Sequence, residues 1–175
     1  MADYYIDIVN ENDEVVGKEL KSKKLEKEFI SRVIAVFLLD SEKKFLMCRR
    51  APHKSDAPNL WDLAVCGNVE SGESYKEAAR RELSEELGIS CELESLGKFY
   101  EENKATSGSL LKVFCGIFIG YTDEEPTLSE ELTESRKMTL DEIKSEITSS
   151  PEKFCNGFRT DFENVKEKLK SMINK

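Results

Sequence analysis

Residues 67–89 read GNVESGESYKEAARRELSEELGI, and the rest of the chain is best read outward from this stretch. Ser74 followed by Glu77 makes a capping box, so a helix is expected to begin there. Gly88 stops it after Leu87, in the manner of a glycine just past a helix C-terminus. Within this helix Glu82, Glu85 and Glu86 are spaced i, i+3, i+4. At about 100° per residue they share one stripe of surface. Ala79, Leu83 and Leu87 form the neighbouring apolar stripe, suited to packing on a sheet. Three carboxylates on one stripe repel one another by a few tenths of a kcal/mol per pair. A solvated glutamate face is one reading of the stripe. The other is a divalent-cation site, because Mg²⁺ takes carboxylate oxygens and keeps water and phosphate oxygens as further ligands. The loop before the helix fits the second reading: Gly67, Ser71 and Gly72 allow a close backbone approach, and Glu73 sits just ahead of the helix.

On either side of this segment the pattern is mixed α/β. Residues 4–18 read as a β-hairpin around Asn-Glu-Asn-Asp, and 18–28 as a highly charged surface connection or short helix. Strands are expected at 33–39, 45–50, 61–66, 91–101 and 110–121, with a turn at 40–44 and a proline-containing loop at 51–59. Residues 126–135 read as an acidic loop. Helices are expected at 139–148, capped by Thr139 with Glu142, and at 158–173. The organisation expected is an N-terminal hairpin and charged connection (1–30) packed on one domain (31–165), with 166–175 ending the last helix. No repeat or linker divides it.

Composition narrows the chemistry. The chain has 175 residues, the usual size of one domain, enough to bury roughly 70% of its unfolded surface. Its longest strongly apolar run, Val33–Leu39, is far short of the ~20 residues that span a bilayer. The acidic beginning MADYYIDIVNENDE lacks a signal pattern, so a cytoplasmic protein is expected. The five cysteines, Cys48, Cys66, Cys91, Cys115 and Cys155, include no Cys-x-x-Cys pair, and His53 is the only histidine. A Cys/His zinc site is therefore not expected, whereas a hard cation on carboxylates is. A net charge of −9 disfavours a nucleic-acid footprint. It leaves room for a small anionic substrate met by local cations; Arg49, Arg50 and Lys54, just before the 67–89 segment, are the candidates.

The segment resembles the box of the Nudix (MutT-like) superfamily, G-x5-E-x7-R-E-U-x-E-E-x-G-U with U aliphatic. Gly67, Glu73, Arg81, Glu82, Leu83, Glu85, Glu86, Gly88 and Ile89 fill all the specified positions. The order of strands and helices around it is also similar, over roughly residues 31–165. The resemblance implies an α/β/α sandwich with a central mixed sheet. It also implies a Mg²⁺-dependent hydrolase, with Mn²⁺ as substitute, cutting a diphosphate linkage in a nucleoside diphosphate-type small molecule. Glu82 and Glu86 are then the main metal ligands, joined by Glu85, which ligates or positions the attacking water, and by the Gly67 carbonyl. Arg81 pairs with Glu73 and orients helix and loop, while Gly88 supports the box. Relatives draw a further catalytic carboxylate from a later loop. Glu130, Glu131 and Glu134 are the candidates, with Glu131 favoured.

Residues 7–18, 29–50 and 57–74 also resemble the isopentenyl diphosphate isomerase-like branch, where Cys66 falls at the catalytic cysteine. Against an isomerase stand Asn68 in place of a histidine, the single histidine of the chain, the absence of a carboxylate near Val113, and the complete box. A ligand-binding module without activity is the third reading, although no box glutamate is missing. Trp61, Phe99 and Tyr100 read first as packing residues and second as stacking platforms for a base, and His53 as a loop residue. The oligomeric state and the identity of the diphosphate stay open.

Overall fold

The structure, a computed structural model, describes residues 3–174. Met1, Ala2 and Lys175, the extremes of the N-terminal segment and of the last helix expected from the sequence, lie outside the described residues. The strands are β1 (Tyr5–Val9), β2 (Val15–Leu20), β3 (Ile30–Leu39), β4 (Phe45–Arg50), β5 (Trp61–Asp62), β6 (Val65–Asn68), β7 (Leu93–Lys104), β8 (Leu110–Tyr121) and β9 (Leu132–Met138). The helices are α1 (Tyr75–Leu87), α2 (Leu140–Ser149) and α3 (Asn156–Ile173).

The sheet is organised around β3. β8 lies parallel to it along its whole length, from Ile30↔Lys112 to Leu39↔Tyr121. On its other edge three antiparallel neighbours follow in turn: β1 at Ile30, β6 from Val33 to Val36, and β4 at Leu39. β7 pairs with β8, β2 with β1, and both β5 and β9 with β4. A strand enclosed in this way is buried on both faces, which explains the unbroken apolar run from Ile34 to Leu39. Alternation then divides its side chains. Ile34, Val36 and Leu38 pack with Ala78, Ala79, Leu83 and Leu87 of α1. Ala35, Phe37 and Leu39 pack with Phe158, Phe162, Val165 and Leu169 of α3, and with Ile143 of α2. Helices thus cover both faces of a mixed sheet, the α/β/α sandwich expected.

Local chemistry sets the helix ends as the sequence indicates. Ser74 and Glu77 close a full capping box on α1, and Thr139 and Glu142 close one on α2. Gly88 ends α1 in the left-handed region at φ 66°, where a side chain would be strained. The hairpin is also present, and it grips the loop that leads into α1. Ser71 donates to Asp7 at 2.6 Å, and the Ser71 N–H donates to the Tyr5 carbonyl at 2.9 Å. Its turn is pinned to β3 by Arg32, which donates to Asp13 at 2.6 Å, and to α1 by the Tyr75 hydroxyl, which donates to Asp13 at 3.0 Å.

Two expectations are corrected. The 126–135 stretch is not wholly loop: β9 begins at Leu132 and runs through Ser135 to Met138, antiparallel to β4. Only Met138 of β9 is buried, so the strand carries little apolar signal and is held by backbone pairing. The expected strand 61–66 is two short strands interrupted at Leu63–Ala64, the first pairing with β4 and the second with β3.

Phe158 is 1% exposed and touches Phe37, Phe154 and Phe162. Truncating it should leave a cavity between α3 and the sheet. Phe158→Ala is expected to lower unfolding free energy by about 3–5 kcal/mol, read from urea midpoints at unchanged slope.

Candidate active site

Glu82 and Glu86 face inward from α1, and each is only 8% exposed. Glu85 of the same stripe turns to solvent, its side chain 61% exposed. The stripe is therefore not equivalent along its width: two carboxylates are buried and the third is not. Gly67 lies directly against Glu82, and a Cβ at that position would come within 2.3 Å of the Glu82 carboxyl carbon. Only glycine leaves room for the carboxylate beside the end of β6.

Arg81 ties the pieces together. Its Nε and Nη2 donate to the two Glu73 oxygens at 2.8 and 2.9 Å, a bidentate pair. Nη1 donates to Glu82 at 2.8 Å and to Glu85 at 3.3 Å, and Nη2 also donates to the Asn68 carbonyl at 3.0 Å. Strand end, loop and helix are thus fixed by one guanidinium. Glu73 is held below the usual carboxylate range, chiefly by this arginine.

The loop after β8 closes on the end of α1. The Ser129 N–H donates to the Glu86 carbonyl at 2.9 Å, and the Thr127 N–H to the Leu87 carbonyl at 2.8 Å. This brings Glu131 close enough to Glu86 for the two charges to repel. Glu131 is held from the other side by an ion pair with Lys54. Of its two competitors, Glu130 is exposed and Glu134 pairs with Arg49 at 3.8 Å. Burial, with repulsion from Glu82 and Glu131, pushes Glu86 up to about 8, and burial raises Glu82 as well.

A cavity of about 330 Å³ begins at Gly67 and Asn68 and extends over the α3 face of the sheet. Arg50 and Lys54 line it. Arg49, grouped with them on sequence, does not; strand alternation turns it outward, where it donates to the Asn59 carbonyl at 2.9 Å. Phe99 and Tyr100 do not line the cavity either. Phe99 packs on the core, and Tyr100 is 45% exposed against Phe114. Trp61 lies under the Arg136 guanidinium, 4.0 Å from its ring centre. His53 is exposed.

Sequence reasoning missed residues on both sides of this site. Lys24, in the charged connection, lines the cavity and donates to the Asn68 side chain at 2.7 Å. Burial lowers its ammonium to about 8. Nothing in a run of alternating charges marks one lysine as inward. Asp161 and Glu101 also line the cavity, both buried. Asp161 did leave a signal, an acid inside the apolar stripe Phe158–Phe162–Val165–Leu169.

Comparison with known proteins agrees with this fold. The family model of the NUDIX domain matches residues 29–156. The chain is 32% identical over 155 residues to an isopentenyl-diphosphate Delta-isomerase of Serratia proteamaculans, covering 87% of this chain and 86% of that protein. It is 44% identical over 89 residues to a Nudix hydrolase of Deinococcus radiodurans, covering 51% of this chain and 52% of that protein. Among solved structures, DR0079 from Deinococcus radiodurans superposes with a TM-score of 0.70 at 31% identity, covering 83% of this chain and 90% of the other. The chain belongs to the NUDIX domain family. It is an enzyme of the Nudix hydrolase kind.

The raised Glu86 fixes the sign of a pH effect in the metal-free protein. Between its ordinary value near 4.5 and about 8, the folded state holds a proton that the unfolded state has released. Stability then falls as pH rises through that window, by at most roughly 1.4 kcal/mol per pH unit. Chemical denaturation from pH 4.5 to 8 in chelator should show this fall. Glu86→Gln should make it shallower, the other raised acids, Glu82 and Asp161 among them, keeping the remainder, and a slope unchanged in that variant would refute the assignment to Glu86.

Proposed function

We propose that this enzyme hydrolyses the diphosphate linkage of a nucleoside diphosphate-type substrate with Mg²⁺, Mn²⁺ substituting. The observation that carries the reading is the pair of buried carboxylates, Glu82 and Glu86, beside Gly67. Two like charges with little exposure are costly unless a cation joins them. Raised Glu86 and the close approach of the Glu82 carboxylate to Gly67 both suit a divalent cation held by Glu82, Glu86 and the Gly67 carbonyl. Carboxylate and carbonyl oxygens are the donors that Mg²⁺ prefers. When bound, such a cation offsets phosphate charge and makes water a better nucleophile.

The protein's own groups supply the rest. Arg50 and Lys54 line the cavity and suit phosphate oxygens. Arg81 holds Glu82 and the loop in register, and its bond to Glu85 keeps that carboxylate at the solvent edge, placed to position water. Glu131 accepts the proton of the attacking water on a carboxylate oxygen, and its ion pair with Lys54 holds it at the edge of the cavity that Lys54 lines. Water oxygen bonds to phosphorus as the bridging P–O bond breaks, and the leaving phosphate keeps that electron pair. Five free cysteines, three of them buried, support action in the reducing cytoplasm. No helix among the described residues is long and apolar enough to cross a membrane.

One observation favours a second reading. Cys66 lines the same cavity as the buried acids Asp62, Glu101 and Asp161, and the Serratia proteamaculans relative is named an isomerase. A thiol and an acid around an isopentenyl chain would suit proton transfer at a double bond. Burial, however, pushes the Cys66 thiol well up, so it is not poised as a thiolate.

Glu86→Gln is expected to stay folded and lose about 10²-fold or more in turnover of nucleoside diphosphates. A variant with wild-type turnover would remove the reaction centre from α1. Cys66→Ala should keep most hydrolysis, and the wild type should exchange no deuterium into isopentenyl diphosphate. Loss of hydrolysis in a folded Cys66→Ala, together with such exchange, would transfer the assignment to the isomerase.

A further inference from the structure

Lys24 enters the site from the connection before β3. The chain there makes one tight turn, Lys21–Lys23, and the Lys24 N–H closes it on the Lys21 carbonyl at 3.1 Å. Both flanks are tied down. The Ser22 hydroxyl donates to Asp3 at 2.6 Å, and the Ser109 hydroxyl donates to the Leu25 carbonyl at 3.0 Å. The backbone of Lys24 is thus held in place, and its side chain lines the cavity of about 330 Å³.

Its ammonium is left short of partners. Three protons are available, and one goes to the Asn68 side-chain oxygen at 2.7 Å. Among the described residues no carboxylate pairs with it, although its outward neighbours are paired, Lys23 with Glu26 at 2.8 Å and Lys27 with Glu19. Burial lowers this ammonium to about 8, so it has lost water yet keeps its charge at neutral pH. A desolvated charge with one neutral partner is costly. The missing partner is an anion, and the cavity is where it enters. We propose that Lys24 binds the substrate directly, donating from its ammonium to a non-bridging oxygen of the diphosphate, so that the segment before β3 forms part of the substrate site. The inference rests on the hydrolase reading for the identity of the substrate.

Asn68 places this contact. Its side chain holds Lys24, its main-chain carbonyl accepts from Arg81 at 3.0 Å, and the residue before it is Gly67, against which Glu82 packs. Lys24 is therefore one hydrogen bond from the strand end that meets the helix carboxylates. The other cations of the wall are more committed or better hydrated. Lys54 pairs with Glu131, and Arg50 meets Asp62 at 3.5 Å and the Asp56 carbonyl at 3.1 Å. Lys21 and Lys104 are exposed. Other occupants meet the Lys24 ammonium less well. A base carbonyl or a ribose hydroxyl supplies an acceptor without charge, a hydrocarbon supplies neither, and a metal cation is repelled. A phosphate oxygen supplies both, in a charge-assisted hydrogen bond. Lys24 also precedes the residues matched by the family model, 29–156, so its contact is a determinant that the box does not supply.

The test compares Lys24→Met and Lys24→Gln with the wild type as full chains; glutamine keeps a donor for Asn68 and removes the charge. Lys23→Met, one position earlier and outward, controls for the loss of any positive charge. Binding of imidodiphosphate, a diphosphate analogue whose P–N–P bridge resists hydrolysis, is measured by calorimetry in Mg²⁺. Values of kcat and KM for nucleoside diphosphates and the ligand-free melting temperature are measured alongside. Both Lys24 variants should bind the analogue about tenfold or more weakly, the scale of one lost charge-assisted hydrogen bond. Most of the kinetic loss should fall in KM. Their ligand-free melting temperature should equal or exceed that of the wild type, because an uncompensated charge is gone, whereas a purely structural lysine predicts a fall. Lys23→Met should match the wild type throughout. Unchanged analogue affinity in either folded Lys24 variant, a loss confined to kcat, or an equal loss in Lys23→Met would each overturn the proposal. Lys24-dependent binding of the analogue without turnover of any nucleoside diphosphate would keep the Lys24 assignment and refute the hydrolase reading. Turnover with an affinity independent of Lys24 would refute the Lys24 assignment alone.

Discussion

Arg81 is the tie on which the site depends. It joins Glu73 in the loop, the Asn68 carbonyl at the end of β6, and Glu82 on α1. Each of these belongs to a different element, so the relative placement of Gly67, Glu82 and Glu86 is set by a single side chain with a fixed fork of donors. Lysine could not reproduce it, having one nitrogen where four contacts are needed. The same guanidinium offsets part of the burial that raises Glu82, while burial and the neighbouring carboxylates push Glu86 up to about 8.

The acidic balance of the chain makes that local arrangement more telling. With a net charge of −9, the field of the whole molecule opposes a phosphate substrate. The cations that line the cavity are few, Lys21, Lys24, Arg50, Lys54 and Lys104, and they come from three stretches of chain: the connection before β3, the region around the end of β4, and the end of β7. Lys24 reaches the cavity only because the hairpin and the segment after it fold back over the loop before α1, through Asp7, Ser71 and Asn68. The N-terminal segment therefore shapes the approach to the site as well as covering a sheet edge.

What could be read from the sequence follows from what each residue reports locally. The box helix was legible because its cap, its stop and its two stripes all lie within 23 residues of chain. β3 was legible because burial on both faces writes an unbroken apolar run. β9 was not, because its charged side chains carry none of the reason it is a strand; that reason lies in the backbone of β4. Arg49 was grouped with Arg50 because adjacency in sequence says nothing of which side of a strand each residue faces. Glu101 and Asp161 lie 60 positions apart, and only the packing of α3 on β7 and β8 makes them neighbours.

β3 separates two kinds of chemistry by alternation alone. Its even-numbered side chains, Ile34, Val36 and Leu38, support α1 and so the carboxylates that hold charge. Its odd-numbered ones, Val33 and Ala35, face the α3 side, where Val33 forms part of the cavity wall. β6, paired beside β3, ends at the boundary between them, with Gly67 against Glu82 and Cys66 in the cavity. Because the partition comes from strand register, a substitution on the α3 face need not disturb the carboxylates on α1.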